Sequence, residues 1–203
     1  MGDYESSQVT SIGLAEATLV VDMAWNALPA GQRSLLEAIG ADQRRVVIGP
    51  LGVQADALHV SAGIPRFDPE VCRELDRALG IWLSDLRVVL IRLDHPVYAE
   101  LDRPTVERFL ARVAWHEWGH ALGLDRSTNA DIRSGARLLA MAPRGISENI
   151  RAAGYGRKDF THELVAEVYA LLMGRRQRGE TGRPEWLANE IWEIVERVTG
   201  WTD

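Results

Sequence analysis

Ala114-Trp115-His116-Glu117-Trp118-Gly119-His120-Ala121-Leu122-Gly123-Leu124 is the stretch on which the reading of this 203-residue chain turns. It contains His-Glu-x-x-His. Residues four apart share one face of a helix, so the imidazoles of His116 and His120 can reach a single metal ion. Glu117 falls between them, placed to touch a water on that ion rather than the ion itself. This is the pattern of a zinc hydrolase. Gly119 adds to it, because a glycine inside a helix costs about 1 kcal/mol relative to alanine and marks a place where something approaches closely.

Upstream, Asp102 can cap a helix with Pro104 in its first turn. Val106, Phe109, Leu110 and Val113 then form an apolar stripe that leads into His116, Glu117 and His120. The core-facing side of this helix therefore becomes its metal-facing side. Gly123 reads as its end. Further upstream, residues 14–28 suggest a helix broken by Pro29, and residues 32–39 a second one closed by Gly40. Residues 45–48 and 57–60 read as strands, and 68–79 as a short helix behind Asp68 and Pro69. Residues 86–93 are the clearest strand in the chain. Residues 125–159 read as irregular, with several glycines and a proline. A helix then runs from about 160 to 173, a charged linker spans 174–182, and a last amphipathic helix covers about 183–199. Helices, a few strands, then more helices imply an α+β fold, with a small sheet packed on the central helix.

Composition narrows the function classes. The chain is 46% hydrophobic and 26% charged, which suits one globular domain. We read residues 1–12 as a polar, flexible tail and 13–203 as that domain: helices and a small sheet over 13–100, the active-site helix and a carboxylate helix over 101–174, and the terminal helix. A net charge of −6 without a basic stripe argues against nucleic acid as a partner. No apolar run approaches the roughly 20 residues of a membrane span, and the N-terminus lacks the basic start and apolar core of a signal peptide. A cytoplasmic location is expected, with secretion by a signal-less route left open. Cys72 is the only cysteine, so no intrachain disulfide can form and a thiolate zinc site is disfavoured.

The segment from His116 to Asp125 resembles the matrixin branch of the metzincin metallopeptidases, whose pattern is His-Glu-x-x-His-x-x-Gly-x-x-His. The resemblance holds through Gly123 and fails at Arg126, which stands in the place of the third histidine. A guanidinium has no lone pair to give a metal. Leu139-Ala140-Met141-Ala142-Pro143 echoes the methionine turn of that family. The missing ligand has another source in Phe160-Thr161-His162-Glu163-Leu164-Val165-Ala166-Glu167-Val168-Tyr169-Ala170, an apolar helix carrying two carboxylates. It resembles the glutamate helix of gluzincins, and Ala166-Glu167-Val168-Tyr169-Ala170 is similar to the Ala-Glu-aromatic pattern of anthrax lethal factor and related toxins. That likeness implies Glu167 as third zinc ligand. The alternative register resembles thermolysin: Glu163 binds zinc and Glu167 orients a histidine from behind. The flanking residues favour Glu167.

The resemblance implies a zincin-like fold, Zn2+ as cofactor, a peptide or protein substrate, and Glu117 as general base. The strand at 86–93 is then expected beside the active-site helix, where it can offer backbone to an extended substrate. Such enzymes place a donor against the developing oxyanion. Tyr155, on a glycine-flanked loop, is the candidate, with His162 as its rival. The competing expectation is a catalytically inactive zincin, acting as a metal-binding or regulatory module.

Overall fold

The computed structural model describes residues 12–49, 78–153, 156 and 159–202. The expected strand at 57–60, nearly all of the helix expected at 68–79, Cys72 and Tyr155 lie outside the described residues. Within them the fold is α+β and predominantly helical, with a three-stranded mixed sheet.

Helix α1 (Leu14–Asn26) stops before Pro29, which acts as N-cap for α2 (Ala30–Ala38). Strand β1 (Val46–Gly49) pairs in parallel with β3 (Val88–Arg92), and β2 (Gly80–Leu83) pairs antiparallel with the other side of β3. The strand expected at 86–93 is thus the centre of the sheet. The strand beside Glu117 is β2, and β3 is paired on both sides, so β3 has no free edge to offer an extended substrate. Val89 and Ile91 face the main core, whereas Leu90 joins Val47, Ile81 and Leu83 on the opposite face. This is the two-residue alternation of a strand.

The central helix α3 runs Arg103–Arg126. Asp102 caps it by accepting from the Thr105 backbone N–H at 2.8 Å, with Pro104 in the first turn. Gly123 does not end it. The helix continues three residues further, and a methyl group at Gly123 would make an ordinary contact with Val165 Cγ1 at 3.6 Å. Trp115 and Trp118 are core residues. The Trp115 indole donates to the Ala24 carbonyl (3.1 Å), and Trp118 meets Trp25 edge-on at 5.2 Å, which locks α1 against α3.

Residues 129–152 are not irregular. They form α4 (Asn129–Met141) and α5 (Arg144–Ala152). Thr128 and Asp131 make a capping box at the start of α4, and Pro143 is the N-cap of α5 rather than a breaker. Gly135 is inside a helix because Thr161 leaves no room there: an added methyl would meet its Oγ1 at 2.7 Å. Met141 closes α4 and is not part of a turn. Helix α6 (Phe160–Gln177) extends into the expected linker. The last helix, α7 (Asn189–Thr199), starts later than expected because Pro184–Leu187 forms a turn, and this leaves Trp186 exposed while Trp192 is buried. No helix among the described residues is long and apolar enough to cross a membrane.

Helices α3 and α6 form the heart of the core. Arg112 meets Glu167, Gly119 meets Ala166 and Gly123 approaches His162, so the two helices run antiparallel. They touch at Gly119, where a methyl group would stand 2.8 Å from the Ala166 Cα and 3.2 Å from the Tyr169 ring. Helix propensity favours alanine by about 1 kcal/mol. The obstruction here is backbone, which cannot swing aside, so sterics win. Gly119→Ala is expected to destabilise the protein by a net ~1–2 kcal/mol and lower Tm by several degrees in a thermal melt. An unchanged or raised Tm would show that the helices are not in contact at this point.

Candidate metal centre

The antiparallel register brings His116 and His120 of α3 against Glu163 of α6. His116 Nε2 and His120 Nε2 are 3.0 Å apart. Glu163 places Oε1 3.4 Å from His120 Nε2 and Oε2 3.8 Å from His116 Nε2. All three side chains are largely buried. Among the described residues, these three form the one group of histidine, cysteine and carboxylate atoms close enough together to share an ion.

These spacings fit zinc. Two donors each about 2.05 Å from a tetrahedral ion stand about 3.4 Å apart, and the observed distances bracket that value. The donor set of two imidazoles and one carboxylate is that of a catalytic zinc site, which keeps a fourth position for water. Burial lowers the pKa of both histidines. For His120 the fall is large, with His116 and His162 adding to it. For His116, Glu167 opposes the fall and Arg112 reinforces it. Both rings are therefore neutral near pH 7, with lone pairs to give. One ring could donate to the other, and a divalent cation placed between the three groups would meet one ligand atom from each.

Glu117 points elsewhere. It is buried on α3 under β2, and the Trp82 backbone N–H donates to its carboxylate. Gly80 makes this approach possible: a methyl group there would be 2.8 Å from Glu117 Oε1 and 2.7 Å from Val113 Cγ1. Burial, and then the charge of Glu163, push the Glu117 pKa well above the usual carboxylate range, while the Trp82 hydrogen bond acts in the opposite direction. A buried acid held beside a candidate metal site in this way binds its proton more tightly than a solvated carboxylate does.

Glu167, the third ligand favoured from sequence, is not brought to the histidines. It accepts a hydrogen bond from Arg112 Nη2 at 2.9 Å. The periodicity of α6 explains the difference. Glu163 and Glu167 lie on one face, and Gly119 packed on Ala166 sets the register so that Glu163 comes level with the histidine pair. Glu167 lies one turn further along, beside His116. Of the two oxyanion candidates, His162 is half-buried near His120, its pKa lowered by burial. Arg126 turns away from the centre, with Nη1 close to Gly200 beyond the C-terminal end of α7, where the helix dipole favours a cation.

The sequence reading did not identify Arg112 or the Gly80–Trp82 backbone as parts of this region. Arg112 could have been found, since it stands four residues before His116 on the same face. The run Ile81-Trp82-Leu83 has strand composition, but nothing in it shows which side chain the strand covers. No known protein family, curated protein or solved structure matches this chain.

Proposed function

We propose that the chain is a zinc-dependent endopeptidase of zincin-like fold, with His116, His120 and Glu163 as metal ligands and Glu117 as general base. The observation that carries the reading is the convergence of those three side chains from two helices, with a fourth, buried carboxylate next to them. A zinc ion held there supplies Lewis acidity, which brings the pKa of a bound water down towards ~7 and polarises the scissile carbonyl. Glu117 takes a proton from the attacking water and delivers it to the leaving amine. Its elevated pKa suits both halves of that task. Burial of the site excludes bulk water and strengthens each charge interaction within it. His162, near His120, would be the donor to developing negative charge on the substrate oxygen. Glu167 holds the Arg112 guanidinium, which stands four residues before His116.

The test is metal dependence. The purified protein is expected to hold about one zinc ion per chain and to cleave members of a random peptide library. Chelation should abolish cleavage and added zinc should restore it. Stoichiometric zinc with no cleavage of any library member would instead favour an inactive, metal-binding module.

A further inference from the structure

On the middle of α3 Arg112, His116 and His120, each four apart, are partly buried, while 113–115 and 117–119 are fully buried. Arg108, four residues earlier, is exposed on the same line. Two guanidinium groups therefore stand in line with His116 and His120 on the less buried face of this helix. Arg112 is 42% exposed. Glu167 accepts from one of its Nη2 hydrogens, which fixes the plane of the fork, and among the described residues its other donors have no partner. Arg108 spends one donor on the Thr105 hydroxyl (2.9 Å) and is otherwise open. A chain of net charge −6 keeps these two cations beside its candidate catalytic centre.

We propose that Arg112, backed by Arg108, is a specificity subsite for a carboxylate on the substrate, close to the bond that is cut. The inference rests on the peptidase reading and names the substrate class it selects. One helical turn separates Arg112 from His116, about 6 Å along the axis. An extended peptide advances about 3.4 Å per residue, so the recognised carboxylate sits within about two residues of the scissile bond. Arginine suits the task, because its planar fork can meet a carboxylate with two parallel hydrogen bonds while Glu167 holds it from the other side. The carboxylate is either an acidic side chain or a free C-terminus.

The test uses zinc-loaded protein and fluorogenic peptides with amidated C-termini, in which Glu or Gln is scanned through the positions flanking the cut. A neutral peptide is added with a free or an amidated end. Wild type is expected to prefer Glu over Gln by roughly tenfold in kcat/KM at one position, or to prefer the free terminus by a similar factor; the two arms identify the source. In R112Q that ratio should fall to within about twofold of unity with zinc content retained, and R112K should keep part of it. Ratios near unity in wild type at every position, or an R112Q ratio equal to wild type, would overturn the proposal. So would R112Q losing zinc together with cleavage of Glu and Gln peptides in proportion, which would make Arg112 a support of the metal centre. If wild type cleaves nothing, the peptidase reading fails, and the subsite is then read from fluorescence anisotropy. Tighter binding of the Glu peptide that is lost in R112Q supports it, and equal binding of both peptides refutes it.

Discussion

Glu117→Gln is expected to leave zinc bound at about one ion per chain and to slow peptide cleavage by about 10²–10⁴-fold. Glutamine keeps the shape of the side chain under β2, and its amide oxygen can still accept from the Trp82 N–H, so the strand and both histidines stay where they are. What is lost is the group that takes and returns a proton. In the metal-stripped protein the same substitution should raise stability. Burial and Glu163 hold the Glu117 pKa above its unfolded value of about 4.3. An acid with a raised folded pKa binds more protons folded than unfolded above that value, so wild-type stability falls as pH rises through this window. Glutamine does not titrate. The variant should therefore melt higher than wild type at pH 7, and the gap should close as the pH is lowered towards 4. Unchanged turnover would remove Glu117 from the chemistry, and an unchanged melting gap across pH would show that its carboxylate is solvated.

The second large effect separates the two glutamates of α6. Glu163→Gln should weaken zinc binding by more than about a hundredfold and abolish cleavage, because two imidazoles alone complete only half of a four-coordinate site. Glu167→Gln should retain zinc within about tenfold, since that carboxylate meets Arg112 and not the ligand atoms. Zinc affinity measured by competition with a chromophoric chelator decides between them. Retention in Glu163→Gln with loss in Glu167→Gln would restore the register first read from sequence.

That register marks the limit of what the chain reveals without coordinates. The start of α3 and its histidine-bearing face could be read from its Asp102 cap, its apolar stripe and its histidine spacing, because each of these is a local signal, whereas its end lies three residues beyond the expected Gly123. The α+β class and the central strand were legible for the same reason. Glu163 and Glu167 could not be told apart, because residues four apart share a face and periodicity treats them as equals. The choice is made by a contact between helices, Gly119 on Ala166, and contact partners are not written in either helix alone. Residues 129–152 are helical despite their glycines and proline, which the sequence alone presents as breakers. Gly135 is a close-packing site and Pro143 a helix start, while Thr128 and Asp131 at capping-box spacing were the overlooked local evidence.

The antiparallel pairing of α3 and α6 also bears on chain entropy. His120 and Glu163 are 43 positions apart in sequence. In an unfolded chain, closing a loop of that length costs about 4 kcal/mol on the chain-entropy relation used for cross-links. The Gly119–Ala166 contact has already met that cost before any ion arrives. The folded chain should therefore bind zinc about a thousandfold more tightly than the unfolded chain does with the same three side chains. By linkage, zinc bound there would stabilise the fold by up to the same margin. With Cys72 as its only cysteine, the chain cannot form an intrachain disulfide. The metal bridge would then serve as a reversible staple around α4 and α5, and the lifetime of the folded protein would follow the zinc supply.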